Sequence, residues 1–150
     1  MRKMSIWEKD GFFICIDKQY LDLPRIHQFL SEESYWVPGI SFEVVKKSIE
    51  NSSICFGVYE GNPVEGNADQ VGFARTVSDF YRFGWIMDVF ILEEYRGKGL
   101  SKWLMEIVTE QSELRNVAKL MLATNDAHGL YTQYGFKKIE NRDLYMERKK

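Results

Sequence analysis

Asp88-Val89-Phe90-Ile91-Leu92-Glu93-Glu94-Tyr95-Arg96-Gly97-Lys98-Gly99-Leu100-Ser101-Lys102-Trp103-Leu104 is the stretch on which the reading of this chain turns. Its first residues continue an apolar run, 85–92, of the kind expected for a strand covered on both faces. Its last residues open a helix expected over 100–115, where Leu100, Trp103, Leu104, Ile107, Val108, Gln111 and Leu114 recur at helical spacing. Between the two, Gly97 and Gly99 let the backbone turn sharply and press its N–H groups against an anion. The first N–H groups of the helix have no intrahelical partner, and the helix dipole favours negative charge there. Arg96, Lys98 and Lys102 gather at this point, and no carboxylate falls between Gly99 and Glu106. A phosphate held by Arg96, Gly97, Lys98, Gly99, Leu100 and Ser101 is the expected occupant. A lone Gly-x-Gly also serves as a plain strand-to-helix turn. The chain has no P-loop pattern, and it lacks the third glycine and N-terminal βαβ unit of a dinucleotide fingerprint.

Working outward, residues 12–16 form a short apolar run after Asp10-Gly11 and read as an opening strand. Asp22 fits a helix N-cap with Pro24 in the first turn, and Leu23, Ile26, His27 and Leu30 follow at helical spacing. A second short helix follows Ser41, through Val44, Val45, Ser48 and Ile49. The aromatic loop Tyr35-Trp36-Val37-Pro38-Gly39 lies between the two. Ile54–Glu60 and residues 70–77 read as a hairpin around a long polar turn, 120–124 as another buried strand, and 127–134 as a short helix ended by Gly135. Residues 136–139 and 144–147 read as a closing antiparallel pair. The order is β-α-α-β-β-β-α-β-α-β-β. Its strand–helix–strand unit, 85–124, requires a right-handed crossover and a parallel pair. The expected class is therefore α+β (mixed α/β), with a mixed, largely antiparallel sheet, a central parallel strand pair and flanking helices.

Composition sets the bounds. At 150 residues the chain suits one domain, 1–150. It is 45% hydrophobic and 15% aromatic, which suits a core and a pocket gripping an organic substrate. A net charge of −2 excludes a basic nucleic-acid footprint. Cys15 and Cys55 sit in apolar runs and read as buried free thiols, with neither disulfide framework nor zinc spacing, so no metal is expected. There is no apolar leader and no run approaching 18 apolar residues, so the expectation is a cytoplasmic protein without membrane partners.

The run VFILEEYRGKGLSKWLM resembles the pyrophosphate-binding motif of the GNAT (GCN5-related N-acetyltransferase) superfamily, Gln/Arg-x-x-Gly-x-Gly/Ala, mapped onto residues 94–99. Glu94 departs from that pattern at its first place, which weakens any side-chain contact there and leaves the glycines and amides intact. The segment ATNDAHGLYTQYGF, 123–136, resembles the family's last helix, and the element order matches the family's three-layer fold from about residue 12 to 148. The resemblance implies acetyl-CoA as cosubstrate and direct transfer to a small-molecule or peptide amine, without an acyl-enzyme, by a monomer or homodimer. It also implies that pantetheine lies between 85–92 and 120–125, pairing with the backbone near Val89, Phe90 and Ile91 and reaching Asn125. By the same resemblance, Tyr131 faces the coenzyme sulfur as proton donor, ahead of its neighbour Tyr134. Tyr35 and Trp36 would close over the acceptor.

The residues themselves suggest further roles. Asp88 is the one charge in an apolar strand, which suits a general base or an anchor for a cationic amine, and equally a partnered structural acid. Asp126 and His128 follow the C-terminal end of a buried strand, where ligands gather in such sheets, and His128 titrates in the useful range. Arg75, Asp79 and Phe83 are further acceptor-binding candidates, although a surface-facing arginine fits equally well. His27 reads as structural. Two rivals remain: a catalytically silent acyl-CoA-binding regulatory module, and a structural α+β domain whose glycine loop binds nothing.

Overall fold

The computed structural model describes residues 5–150; the first four residues of the N-terminal stretch read above for a leader lie outside it. Six strands form one sheet in chain order: β1 (Ile6–Lys9), β2 (Phe12–Cys15), β3 (Ile54–Glu60), β4 (Asp69–Ser78), β5 (Gly84–Ile91) and β6 (Leu120–Met121). Neighbours from β1 to β5 are antiparallel, and β5 pairs with β6 in parallel, so the sheet is mixed as expected. The parallel pair lies at one end of the sheet.

Helices cover both faces. On one lie α1 (Leu23–Gln28), a π-helical turn (Phe29–Glu33) and α2 (Phe42–Glu50), whose Ile26, Phe29, Leu30, Val45 and Ile49 pack with Cys55, Phe73 and Phe90. On the other lies α3 (Leu100–Glu110), whose Leu100, Trp103, Leu104, Met105 and Val108 pack with Ile14, Phe56, Val58, Val71 and Ile86. The short α4 (His128–Thr132) joins this second layer through Tyr131. The α1 and α2 starts follow from capping: the Asp22 carboxylate accepts from the Arg25 amide, and the Ser41 hydroxyl from the Val44 amide.

Three expectations need correction. The chain opens with a hairpin, because Asp10 (φ 52°) and Gly11 (φ 82°) form a two-residue turn with positive φ at both places. α3 ends at Glu110: beyond it the Gln111 side chain accepts from the Glu113 and Leu114 amides, offering the backbone a turn in place of the next helical bonds. Finally, β6 has two residues and no strand follows it among the described residues. Residues 136–139 and 144–147 run as irregular chain around a single 3-10 turn, Arg142–Leu144. Lys137 and Lys138 leave only Phe136 and Ile139 to bury in the first of these segments, and Leu144 and Met146 are exposed.

Gly72 is where β4 must be bare. It lies opposite Ile91, and a Cβ placed there would stand 2.6 Å from the Ile91 Cδ1 and 2.9 Å from the Phe90 carbonyl oxygen. The side chain could move, but the backbone oxygen belongs to the sheet. Gly72→Ala is expected to lower unfolding stability by about 1–3 kcal/mol through overpacking, read from the midpoint of urea denaturation. An unchanged midpoint would show that β5 yields there.

Candidate functional site

β5 carries one residue more than its partner allows. Phe73 pairs with Phe90 and Arg75 with Met87, so Asp88 and Val89 together oppose Ala74. Asp88 takes φ 55°, a left-handed conformation that Asp tolerates better than branched residues do. The extra residue breaks the strand's alternation. Met87 and Asp88 both border a cavity beneath the π-helical turn and α2, whereas Ile86, Val89 and Ile91 pack toward α3.

The turn of Asp88 toward that face brings it to Arg75. The Arg75 Nε donates to Asp88 Oδ2 at 2.6 Å, and the Trp36 Nε1 donates to Oδ1 at 2.9 Å. A second guanidinium nitrogen donates to the Ser52 hydroxyl at 3.3 Å. The Arg75 and Asp88 side chains are only 11% and 10% exposed. Two expectations are thereby corrected. Asp88 is no bare carboxylate awaiting an amine's proton, since both its oxygens already accept charged or strong donors. Arg75 is not free to hold a substrate carboxylate, because the bulge has made it the partner of Asp88.

Tyr35 stands edge-on to Trp36, with ring centroids 4.9 Å apart, and its hydroxyl accepts from the Asn125 amide at 2.9 Å. One short loop thus ties β5 to the chain that follows β6. Between those two tethers the strands part. Their ladder stops at Trp85 and Met121, while β5 runs on to Ile91. Phe90 offers this gap its backbone alone, for its ring is stacked on Phe29 at 4.0 Å and 11°.

At the far end of β5 the Arg96 Nε donates to the Ile91 carbonyl at 3.0 Å, holding the glycine loop against the strand. Gly97 (φ 82°) and Gly99 (φ 79°) both adopt backbone conformations that favour glycine. Gly99 is the α3 N-cap, no side chain caps the helix, and its first turn carries no acid. A Cβ built on either glycine would meet nothing within 4 Å, so the loop faces open space. Uncapped N–H groups, two left-handed glycines and the exposed Lys98 and Lys102 make a cradle that fits a pyrophosphate.

Tyr131, on α4, is buried to 8% exposure and packs edge-on against Phe136. Burial first, then the neighbouring Tyr35 and Asp126, push its phenol up to about 12. His128 begins α4; it is exposed and lines a wide cleft with Thr124 and Tyr131 under the C-terminal segment, away from the cavity at Asp88. Asp126 is likewise exposed. His27 is held within the helical layer, its Nε2 3.0 Å from the Ile40 carbonyl.

Asp79 and Phe83 belong elsewhere. The Asp79 Oδ1 accepts from the amides of Tyr81, Arg82 and Phe83, which holds its carboxyl below the usual range. Asp79 therefore shapes the β4–β5 turn, at the end of β5 opposite the glycine loop. Phe83 stacks on Trp85 beside it. Ser52, Ile40, Ile49 and Met87 border the site and were not among the sequence candidates. Among the described residues no group of three or more His, Cys, Asp or Glu could hold a metal ion, and no helix is long and apolar enough to cross a membrane.

Comparison with known proteins places this geometry in company. Residues 51–138, more than half of the chain, match the family model described as an acetyltransferase (GNAT) domain. A candidate acetyltransferase of Gibberella zeae is 28% identical over 142 residues, covering 86% of this chain and 80% of that one. A solved GNAT-family structure from Xanthomonas campestris pv. campestris is 37% identical and superposes with a TM-score of 0.85 over 95% of both chains. The fold also matches a candidate acetyltransferase of Clostridium acetobutylicum solved with acetyl-CoA, at 17% identity and a TM-score of 0.64, covering 92% of this chain and 94% of that one.

Arg75→Met would strand the Asp88 carboxylate in a buried place. The expected loss is about 3 kcal/mol, a fall in Tm of roughly 6–12 °C for a chain of this length. Trp36→Phe removes one hydrogen bond and should cost only about 1 kcal/mol. Equal, small effects in thermal unfolding would show that water already screens the pair.

Proposed function

Because this chain belongs to the GNAT acetyltransferase family, we propose that it transfers an acetyl group from acetyl-CoA to the primary amine of a small molecule, amino acid or peptide, by direct attack in a ternary complex. The observation that carries this reading is the parting of β5 from the chain after β6. The glycine loop stands at one end of the gap, and Tyr131 and the Tyr35–Trp36 loop stand beside it. Acetyl-CoA as donor draws support from the Clostridium acetobutylicum fold neighbour, which was solved with it. The whole of 1–150 acts as one domain. Cys15 and Cys55, buried and free, suit the reducing cytoplasm.

The chain's own groups divide the work. The amides from Gly97 to Ser101 and the cations Lys98 and Lys102 hold the pyrophosphate. The backbone of Val89, Phe90 and Ile91 pairs with pantetheine as an added strand would, with Asn125 on the opposite side of the gap. The amine nitrogen attacks the thioester carbonyl carbon, the C–S bond breaks, and the amide forms. Tyr131, whose high pKa keeps it protonated throughout the working range, donates its proton to the departing sulfur.

Asp88 orients the acceptor from its place in the Arg75 pair. Asp88, engaged by Arg75 and Trp36, is not a free base, so the amine gives its proton to water. Acceptor selection lies on the α1–α2 side, beside Trp36. The protonated, half-enclosed phenol of Tyr131 favours turnover over a silent binding module.

Gly99→Glu, provided it folds, should weaken CoA binding tenfold or more, about 1.4 kcal/mol by calorimetry; unchanged binding would remove the loop from the site. Tyr131→Phe should leave CoA affinity alone and lower kcat by about 10²-fold, measured by thiol release from acetyl-CoA with a pool of amines. The phenol is active while protonated and is lost only as pH rises through about 12. The parent enzyme's kcat should therefore show no falling alkaline limb up to about pH 10, well below the titration of a phenol so shifted. A limb near pH 8 that vanishes in Tyr131→Phe would overturn the assignment.

A further inference from the structure

The acceptor amine is unidentified, but the space beside the bulge constrains its chemistry. A cavity of about 80 Å³ lies under the π-helical turn, the loop after it and α2, walled by Leu30, Val37, Ile40, Val45, Ile49 and Met87. Its polar end is formed by Arg75, Asp88 and Trp36, with Ser48 on the α2 side. Three properties follow. The walls are aliphatic, so the cavity rewards apolar groups. The two charges at its end satisfy one another at 2.6 Å, and the remaining carboxylate oxygen is taken by the Trp36 indole, so no unbalanced charge points into it. The volume is also about half that of an apolar cavity known to hold benzene, roughly 150 Å³, so a branched group of three or four carbons fits and the bulkier benzyl group does not.

Met87 and Asp88 both belong to this wall, and Asp88 belongs to the bulge of β5 as well. A group seated in the cavity therefore carries whatever is attached to it to the bulge, where β5 parts from β6. We propose that this cavity is the specificity pocket for the acceptor and that it takes the compact, branched, uncharged aliphatic group of a primary amine. The inference rests on the acetyltransferase reading above for its chemistry, but the pocket binds amines whether or not transfer follows. A second ammonium is rejected because burying it against a neutral ion pair leaves it unpaired. Benzylamine is rejected by volume.

Four probes test this against the protein saturated with CoA: isobutylamine, isopropylamine, benzylamine and diaminobutane. Binding is followed by NMR titration and turnover by thiol release from acetyl-CoA. Each buried methylene is worth roughly fourfold in affinity, so the two branched amines should bind at least about tenfold more tightly than diaminobutane and show the highest kcat/KM. Ser48→Phe, on the less buried side of the wall, should weaken isobutylamine about tenfold while CoA affinity stays constant. Ile40→Ala should enlarge the pocket and move the preference toward benzylamine, which keeps the test alive if the first variant does not fold. Equal binding of all four amines, or indifference of isobutylamine to both substitutions, overturns the proposal. Selective binding without thiol release from any amine would sustain the pocket and sink the acetyltransfer reading, so the two fail separately.

Discussion

One surplus residue in β5 organises the molecule's function. A strand that kept its alternation would send Asp88 toward α3 and leave Arg75 unpaired beneath α1 and α2. The bulge puts both on one face, at 2.6 Å, and the left-handed backbone at Asp88 is held by what its side chain gains there. The same ion pair fixes Trp36, and through the neighbouring Tyr35 the loop reaches Asn125 across the gap. The bulge, the gap and the loop that spans it form a single mechanical unit.

The bulge of β5 and the glycine loop that follows the strand differ in their electrostatics. At the glycine loop, positive potential is left unsatisfied: an uncapped helix start, exposed lysines and no acid in the first turn. A helix end built that way gives up the stability of an N-cap and gains a place for an anion. At the bulge, by contrast, charge is cancelled within the protein, and the adjoining cavity is left neutral and aliphatic. The loop is thus left cationic and the bulge neutral. Tyr131 packs in the α3 layer, its phenol kept protonated by burial and by Tyr35 and Asp126.

Much of the frame was legible in the residues. Asp22 caps the helix it was expected to cap, and Ile54–Glu60 is the strand its apolar run described. The mixed sheet with helices on both faces follows from the strand–helix–strand unit and its flanking hairpins. Other features were misread. The opening hairpin announced itself in Asp10-Gly11, a dipeptide suited to the turn it makes. The closing pair was read from short runs whose lysines give a sheet little to bury, and the chain there remains irregular.

By itself, then, the sequence determined the glycine loop, because that turn is built from consecutive residues whose conformations and charges are local properties of Arg96 to Lys102. It also determined the layers, because helical and alternating patterns report which side of each element is apolar. The partners of Asp88 were beyond it. A bulge adds one residue without any special residue type to mark it, and it reassigns every side chain beyond it to the other face. Whether Asp88 met solvent, substrate or Arg75 was settled by the register of β4 against β5, and Trp36 came to it from 52 positions away. The cavity beside the bulge is of the same kind: Ile40, Ile49 and Met87 read as ordinary core, and only the packing of α2 and the loop 36–40 over the bulge left a space between them.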